Sequence, residues 1–357
     1  MKKAFIFAAA AALALAACSK NEVIGNIDSV PENIPIGFSN YAPRAVTKAD
    51  ADNYVAPDVA TLVNDAQFKV WSWYTDNGTS FDGTNGTKFF NTWYTVKYQA
   101  GGNSDGAAND YSIDGLRYWP TGTSPKWLSF YAYYPSNKGD IGAPAAGLGE
   151  FSFTAKNAAA DQVDFMVADM VKDKTYDNCT PTKGTVPLTF RHMLTKVVFQ
   201  FKKTDVDAVI TVTGASLSGV KNTGTLTTSY DGTDFSTSWG SQSGTQDYTV
   251  AVPATALTTT AATSGSDAND VFLMVPQDIV AGTQTLTITW KVKSGEDAEI
   301  TNTATVDLND IKTSGNDHIN WLKNSQVTYT ITIGPKPIYF TGSVNGWTTT
   351  EGAYTVE

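Results

Sequence analysis

Apolar residues recur at every second position through much of the later chain. Leu286, Ile288, Trp290 and Val292 alternate with Thr287, Thr289, Lys291 and Lys293, and Val327, Tyr329, Ile331 and Ile333 alternate with Thr328, Thr330 and Thr332. Val197, Phe199 and Phe201 face away from Lys196, Gln200 and Lys202 in the same way. Successive side chains on a strand point to opposite faces, so each stretch predicts a half-buried strand with one wet face. Earlier strands are predicted at Lys69 to Tyr74, at Trp93 to Tyr98, and at Trp127 to Tyr134, where Pro135 stops the run. Val271 to Val275 is apolar without a break and suits a strand central in its sheet. No long segment carries a convincing helical period. The best candidate, Ala158 to Lys174, is equally readable as a strand over Val163 to Val167 inside loops. Many short strands separated by turn clusters such as Asp76-Asn77-Gly78 predict an all-β protein built of sandwiches.

The first apolar run has a different meaning. Lys2 and Lys3 precede an uncharged stretch from Ala4 to Ala17, the layout of a secretory signal. The stretch falls short of the ~20 residues that a membrane-spanning helix needs. Leu15-Ala16-Ala17-Cys18 resembles the bacterial lipobox, which implies acylation of Cys18 and a cut just before it. Residues 1–17 are then the signal, and the mature chain is expected to begin as an outer-membrane lipoprotein.

The chain has 357 residues, too many for one small core and suited to two domains. A polar, turn-prone passage near 175–186 is the natural break. The predicted division is a leader over 18–44 that carries a first edge strand, then domains over 45–185 and 186–357. The second domain would open with Val186-Pro187-Leu188-Thr189-Phe190. Charged residues make up 17%, below the roughly 25% usual for globular proteins, and the net charge is -10. No basic patch stands out, which argues against a nucleic-acid partner. With Cys18 acylated, Cys179 has no partner for an intramolecular disulfide.

Catalytic and metal-binding patterns are missing. His192 and His318 are far apart, no Cys/His spacing suggests zinc, and His192 beside Arg191 reads as a structural residue. Asp161 and Asp164 are acids close in sequence, but acids are common here and spacing alone assigns no hydrolase. Asp76, Asn77 and Asp82 miss the EF-hand pattern and suit a plain turn. No enzyme, metal or cofactor is expected.

Three stretches, in order behind the lipobox, resemble the fimbrillin family of Bacteroidales, the subunits of type V pili and their lipoprotein relatives. The first is Arg117-Tyr118-Trp119-Pro120 with Leu128 to Pro135. The second is Asp164 to Ala168 with Val186 to Val197, and the third is Trp321 to Ile333. The resemblance implies two tandem β-sandwich domains of transthyretin-like topology, no catalytic activity, and a place at the outer membrane and in a surface fimbria. It also implies partners: other pilus subunits, with host or bacterial surface receptors for an adhesive subunit.

In pilus fimbrillins an Arg-specific protease trims the leader and first strand, which points here to a cut between Arg44 and Ala45. Upstream, Ile34, Ile36 and Phe38 alternate with Pro35 and Gly37, and Pro35 restricts the segment to a sheet edge. A cut at Arg44 would leave an apolar groove for a partner's strand. The tail repeats the alternation with Ile338, Phe340 and Val344, which makes it the candidate donor. The competing expectation is a lipid-anchored glycan-binding protein. It rests on the aromatic density from Trp71 to Tyr134 and on Phe340 to Trp347, which resembles a turn of starch-binding modules. Exposed aromatic platforms favour that alternative; buried ones favour the structural subunit.

Overall fold

The computed structural model describes residues 34–41, 67–98, 111–113, 117–120, 124–136, 139–180, 182–264, 271–312, 318–334 and 338–346. Cys18, Arg44, Ala45 and Trp347 lie outside them. Within them the protein is all-β, as the alternation predicts, with two short 3-10 turns, Ala159–Asp161 and Leu308–Asp310.

The first half supplies β1 (Gly37–Tyr41), β2 (Gln67–Thr75), β3 (Thr87–Lys88), β4 (Tyr94–Tyr98), β5 (Tyr111–Ile113), β6 (Trp127–Tyr134), β7 (Ile141–Gly142), β8 (Gly149–Thr154), β9 (Met166–Ala168), β10 (Val171–Lys174) and β11 (Thr185–His192). All but β7 and β8 form one nine-stranded sheet. Its ladders run β6–β9–β11–β1–β5–β4–β2 and return to β6, so the sheet closes into a ring. Phe38, Phe68, Phe130 and Phe190 fill the interior, with Phe38 at 6.1 Å from Phe68 and 5.8 Å from Phe130 in edge-to-face contacts. On the other face of β6, Tyr131 and Tyr133 pack against Phe151 of β8. Both faces are covered, which is why Leu128 to Tyr133 has no exposed position.

The second half supplies β12 (Thr195–Lys203), β13 (Val209–Val220), β14 (Thr223–Tyr230), β15 (Phe235–Ser243), β16 (Gln246–Val250), β17 (Val271–Met274), β18 (Thr285–Lys293), β19 (Ile300–Asp307), β20 (Ser325–Ile333) and β21 (Ile338–Gly346). Two four-stranded sheets, β17-β12-β20-β21 and β16-β13-β18-β19, sandwich a second core that includes Trp290, Trp321 and Tyr329. The β14–β15 hairpin leaves this sandwich and pairs with β8 in a fourth sheet, β15-β14-β8-β7, which covers the ring. The strand order is compatible with a transthyretin-like topology.

Three expectations need correction. Val186 to Phe190 does not open the second unit: β11 pairs with β1 and β9, and Val186, Leu188 and Phe190 belong to the first core. The passage from ring to sandwich falls between His192 and Thr195. Val271 to Val275 is apolar throughout, yet β17 stands at the end of its sheet. Its run is apolar because the strand lies between the cores, with Phe272 and Met274 in the second and Leu273 and Val275 in the first. Between Ala158 and Lys174 the strand begins at Met166, not Val163, after the 3-10 turn.

Candidate strand-exchange site

β1 is not an edge strand. Gly37 to Tyr41 pair in parallel with Thr185 to Thr189 of β11, and Phe38 pairs with Tyr111 of β5 on the other side. Pro35 is accommodated because it lies ahead of the ladder, bridged to Tyr118. Ile36 N–H donates to Arg117 O at 2.8 Å and Trp119 N–H to Ile34 O at 3.0 Å. Pro35 and Tyr118 thus form the pair between two ladder bonds, where Pro35's missing N–H is not required.

The side chains follow the period. Phe38 is buried in the ring interior, Ile36 is buried, and Ile34 packs half-buried against the same core. Gly184 anchors the strand's start. Its φ of 73° is left-handed, and a Cβ there would lie 2.8 Å from the Tyr176 ring, so a glycine is required. The Gly184 carbonyl accepts from Gly37 N–H at 3.0 Å and from the Trp119 indole at 2.9 Å. Arg117 stacks on the Tyr94 ring, 4.3 Å from its centroid, and bonds its hydroxyl. Sequence reasoning reads Trp119 as a core residue and gives Arg117 no role beyond its place in the family stretch; in the fold Trp119 is indeed in the first core, and both join Gly184 in holding β1 in place.

The opposite end is arranged differently. β21 pairs antiparallel with β20 over its whole length, from Ser325↔Gly346 to Ile333↔Ile338, and has no strand on its other side among the described residues. Phe340 stands opposite Ile331 and Val344 opposite Val327. Val344 packs half-buried on the second core, while the Ile338 and Phe340 side chains lie outside the described set. Gly342 lets the strand come close: a Cβ there would sit 2.2 Å from Ile319 Cδ1.

Most of the large aromatics in the stretch from Trp71 to Tyr134 are inside, and Tyr118 is the exposed one among the described residues. Trp71, Trp73, Trp119, Phe130, Tyr131 and Tyr133 are all buried. His192 is buried too, its Nδ1 2.9 Å from the Asp164 carboxylate, a pair inside the first core's wall. Asp82 caps its own turn, accepting from Thr84 and Asn85 N–H, and these bonds hold its pKa below the ordinary value. Cys179 is buried, and burial pushes its thiol up to about 11.

No curated protein matches the chain by sequence. Among solved structures, a fimbrial protein from Bacteroides vulgatus superposes with a TM-score of 0.53 at 20% identity, over 87% of this chain and 99% of that one. A protein from Bacteroides uniformis assigned to cell adhesion gives 0.48 at 17% identity, over 89% and 100%. The C-terminally truncated tip fimbrial protein Mfa3 from Porphyromonas gingivalis gives 0.40 at 10% identity, over 80% and 95%. The first of these shares the fold. Residues 47–347 match the fimbrillin-like family, and over that span, most of its length, the chain belongs to it.

Proposed function

We propose that the chain is a non-enzymatic structural subunit of a cell-surface pilus. In this reading it is exported as a lipoprotein on Cys18, trimmed between Arg44 and Ala45, and joined to neighbouring subunits by strand addition. The supporting observation is the seat of β1, which is held on both sides and ends three residues before Arg44. Losing it would bare a slot between β11 and β5 floored by Phe68 and Phe130. Buried Ile and Phe side chains are each worth ~1.5–3 kcal/mol, so an empty slot is costly and a replacement strand is favoured.

The replacement has the same spelling. Ile36-Gly37-Phe38 and Ile338-Tyr339-Phe340 both place isoleucine and phenylalanine two residues apart, so a partner's tail would offer similar side chains at strand spacing. Ladder bonds would supply affinity and the alternating pockets register. Uncut chains keep the slot filled and stay monomeric. Mild trypsin treatment followed by sizing tests this: the cut chain should form multimers, and a chain ending at Pro337 should not. Monomers alone after cleavage at Arg44 would refute assembly by this route.

A further inference from the structure

Two of the strand pairings run parallel, and they follow one another along the chain. β1 pairs with β11 from Gly37↔Thr185 to Tyr41↔Thr189, and β12 pairs with β20 from Thr195↔Ser325 to Lys203↔Ile333. Every other ladder among the described residues is antiparallel. β11 ends at His192 and β12 begins at Thr195, so only Met193 and Leu194 separate the two parallel ladders.

That joint is pinned. Met193 and Leu194 are both buried. Met193 N–H donates to Phe165 O at 2.8 Å, the Trp239 indole donates to Met193 O at 2.6 Å, and Asn324 N–H donates to Leu194 O at 3.0 Å. His192, just before it, is held by the Asp164 carboxylate. A short buried link bonded to the approach to β9, to β15 and to the turn into β20 does not act as a hinge. It passes a pull on β11 directly to β12.

The ends at which paired strands are drawn decide how they resist. Drawn from opposite ends, two strands must slide past each other and every ladder bond is loaded at once. Drawn from the same end, they peel, and the bonds open one after another. Parallel strands are sheared when one is pulled at its start and the other at its finish. A pull applied ahead of Gly37 and carried off through His192 therefore shears β1 against β11. Carried on into Thr195 and taken out beyond Ile333, the same pull shears β12 against β20. Had β20 run the other way, its exit would lie beside Thr195 and the pair would peel.

We propose that the chain is a tension-bearing element, loaded along a line from the β1 seat through β11, the Met193–Leu194 joint, β12 and β20, with both non-covalent junctions on that line in shear. The setting rests on the strand addition proposed above: a donor that runs in β1's direction pulls at the start of the slot, and a tail given to the next subunit leaves after Ile333. The mechanical property itself belongs to the single folded chain.

Single-molecule pulling of the uncut full chain at constant speed tests it. Handles are attached through azide-bearing residues at positions 33 and 336, ahead of β1 and after β20. In one control chain the second handle moves to the exposed position 322, so that β12 and β20 are drawn from the same end. In the other the first handle moves to position 44, which does the same to β1 and β11. The 33/336 chain should first yield at a force roughly twofold higher than either control, because forced unfolding follows the barrier along the loaded direction. Forces that agree within error, or a control that outlasts the 33/336 chain, would overturn the proposal. No cleavage is involved, so monomers after trypsin would leave this result standing, and equal forces would leave assembly untouched.

Discussion

The two terminal strands of the described fold are similar in pattern and opposite in situation. β1 is enclosed: it pairs on both sides inside a closed ring and drives Phe38 into an aromatic interior. β21 is appended: it pairs on one side only, at the end of its sheet, and Val344 is half-buried. An enclosed strand cannot leave without opening a core, whereas an edge strand can detach while its sheet and core persist. In a subunit that exchanges strands, covalent cutting belongs at the first and reversible peeling at the second. In the strand-exchange proposal the cut falls at Arg44, directly after β1.

The largest expected effect is at Phe38. Phe38→Ala should destabilise the ring by about 3–5 kcal/mol, the usual cost of emptying a buried aromatic site. Gly342→Val comes next. Its Cβ would meet Ile319, and overpacking of this kind costs about 1–3 kcal/mol, directed at the β21–β20 contact. Hydrogen exchange should then speed up in 338–346 while β1 amides stay protected. Val344→Ala should cost about 1 kcal/mol, with the ring unaffected. Denaturant melts resolved by tryptophan fluorescence would check the order. If Phe38→Ala costs no more than Val344→Ala, the contrast between the two ends is wrong.

The strands themselves were largely legible in the sequence. In β20 the buried positions alternate without fault from Ser325 to Ile333, matching the pattern of Val327, Tyr329, Ile331 and Ile333. What period two cannot convey is which sheet a strand joins. Val186-Pro187-Leu188-Thr189-Phe190 alternates equally well in either unit, and only its pairing with β1 and β9 places it in the ring. Pro35 suggested an edge because a missing N–H is cheapest there. It escaped that rule by sitting at a bridge whose geometry asks nothing of its nitrogen.

The smallest expected effect on stability gives a selective report on the two ends. Cys179 is buried in the first core, and its thiol is raised from 9.0 to about 11 by burial, with Lys174 and the Gly184 backbone pulling the other way. Alkylation requires the thiolate, which at pH 8 is then roughly a thousandth of the total, against about a tenth for a cysteine that titrates at 9.0. Labelling of the intact chain should be slow. Gly184 also receives the Gly37 N–H, so a chain beginning at Ala45 loses that anchor beside the thiol. Its Cys179 should label at least tenfold faster, while a chain ending at Gly334 should label at the intact rate, because β21 belongs to the other core. The pH dependence has a definite sign. An unfolded chain releases the thiol proton near 9.0 and the native one near 11, so this group lowers stability as pH rises through that window and contributes nothing below it. Equal labelling rates in all three chains, or acceleration on loss of the tail, would show that Cys179 does not sense β1 and that the two ends are not separable in the way the ladders imply.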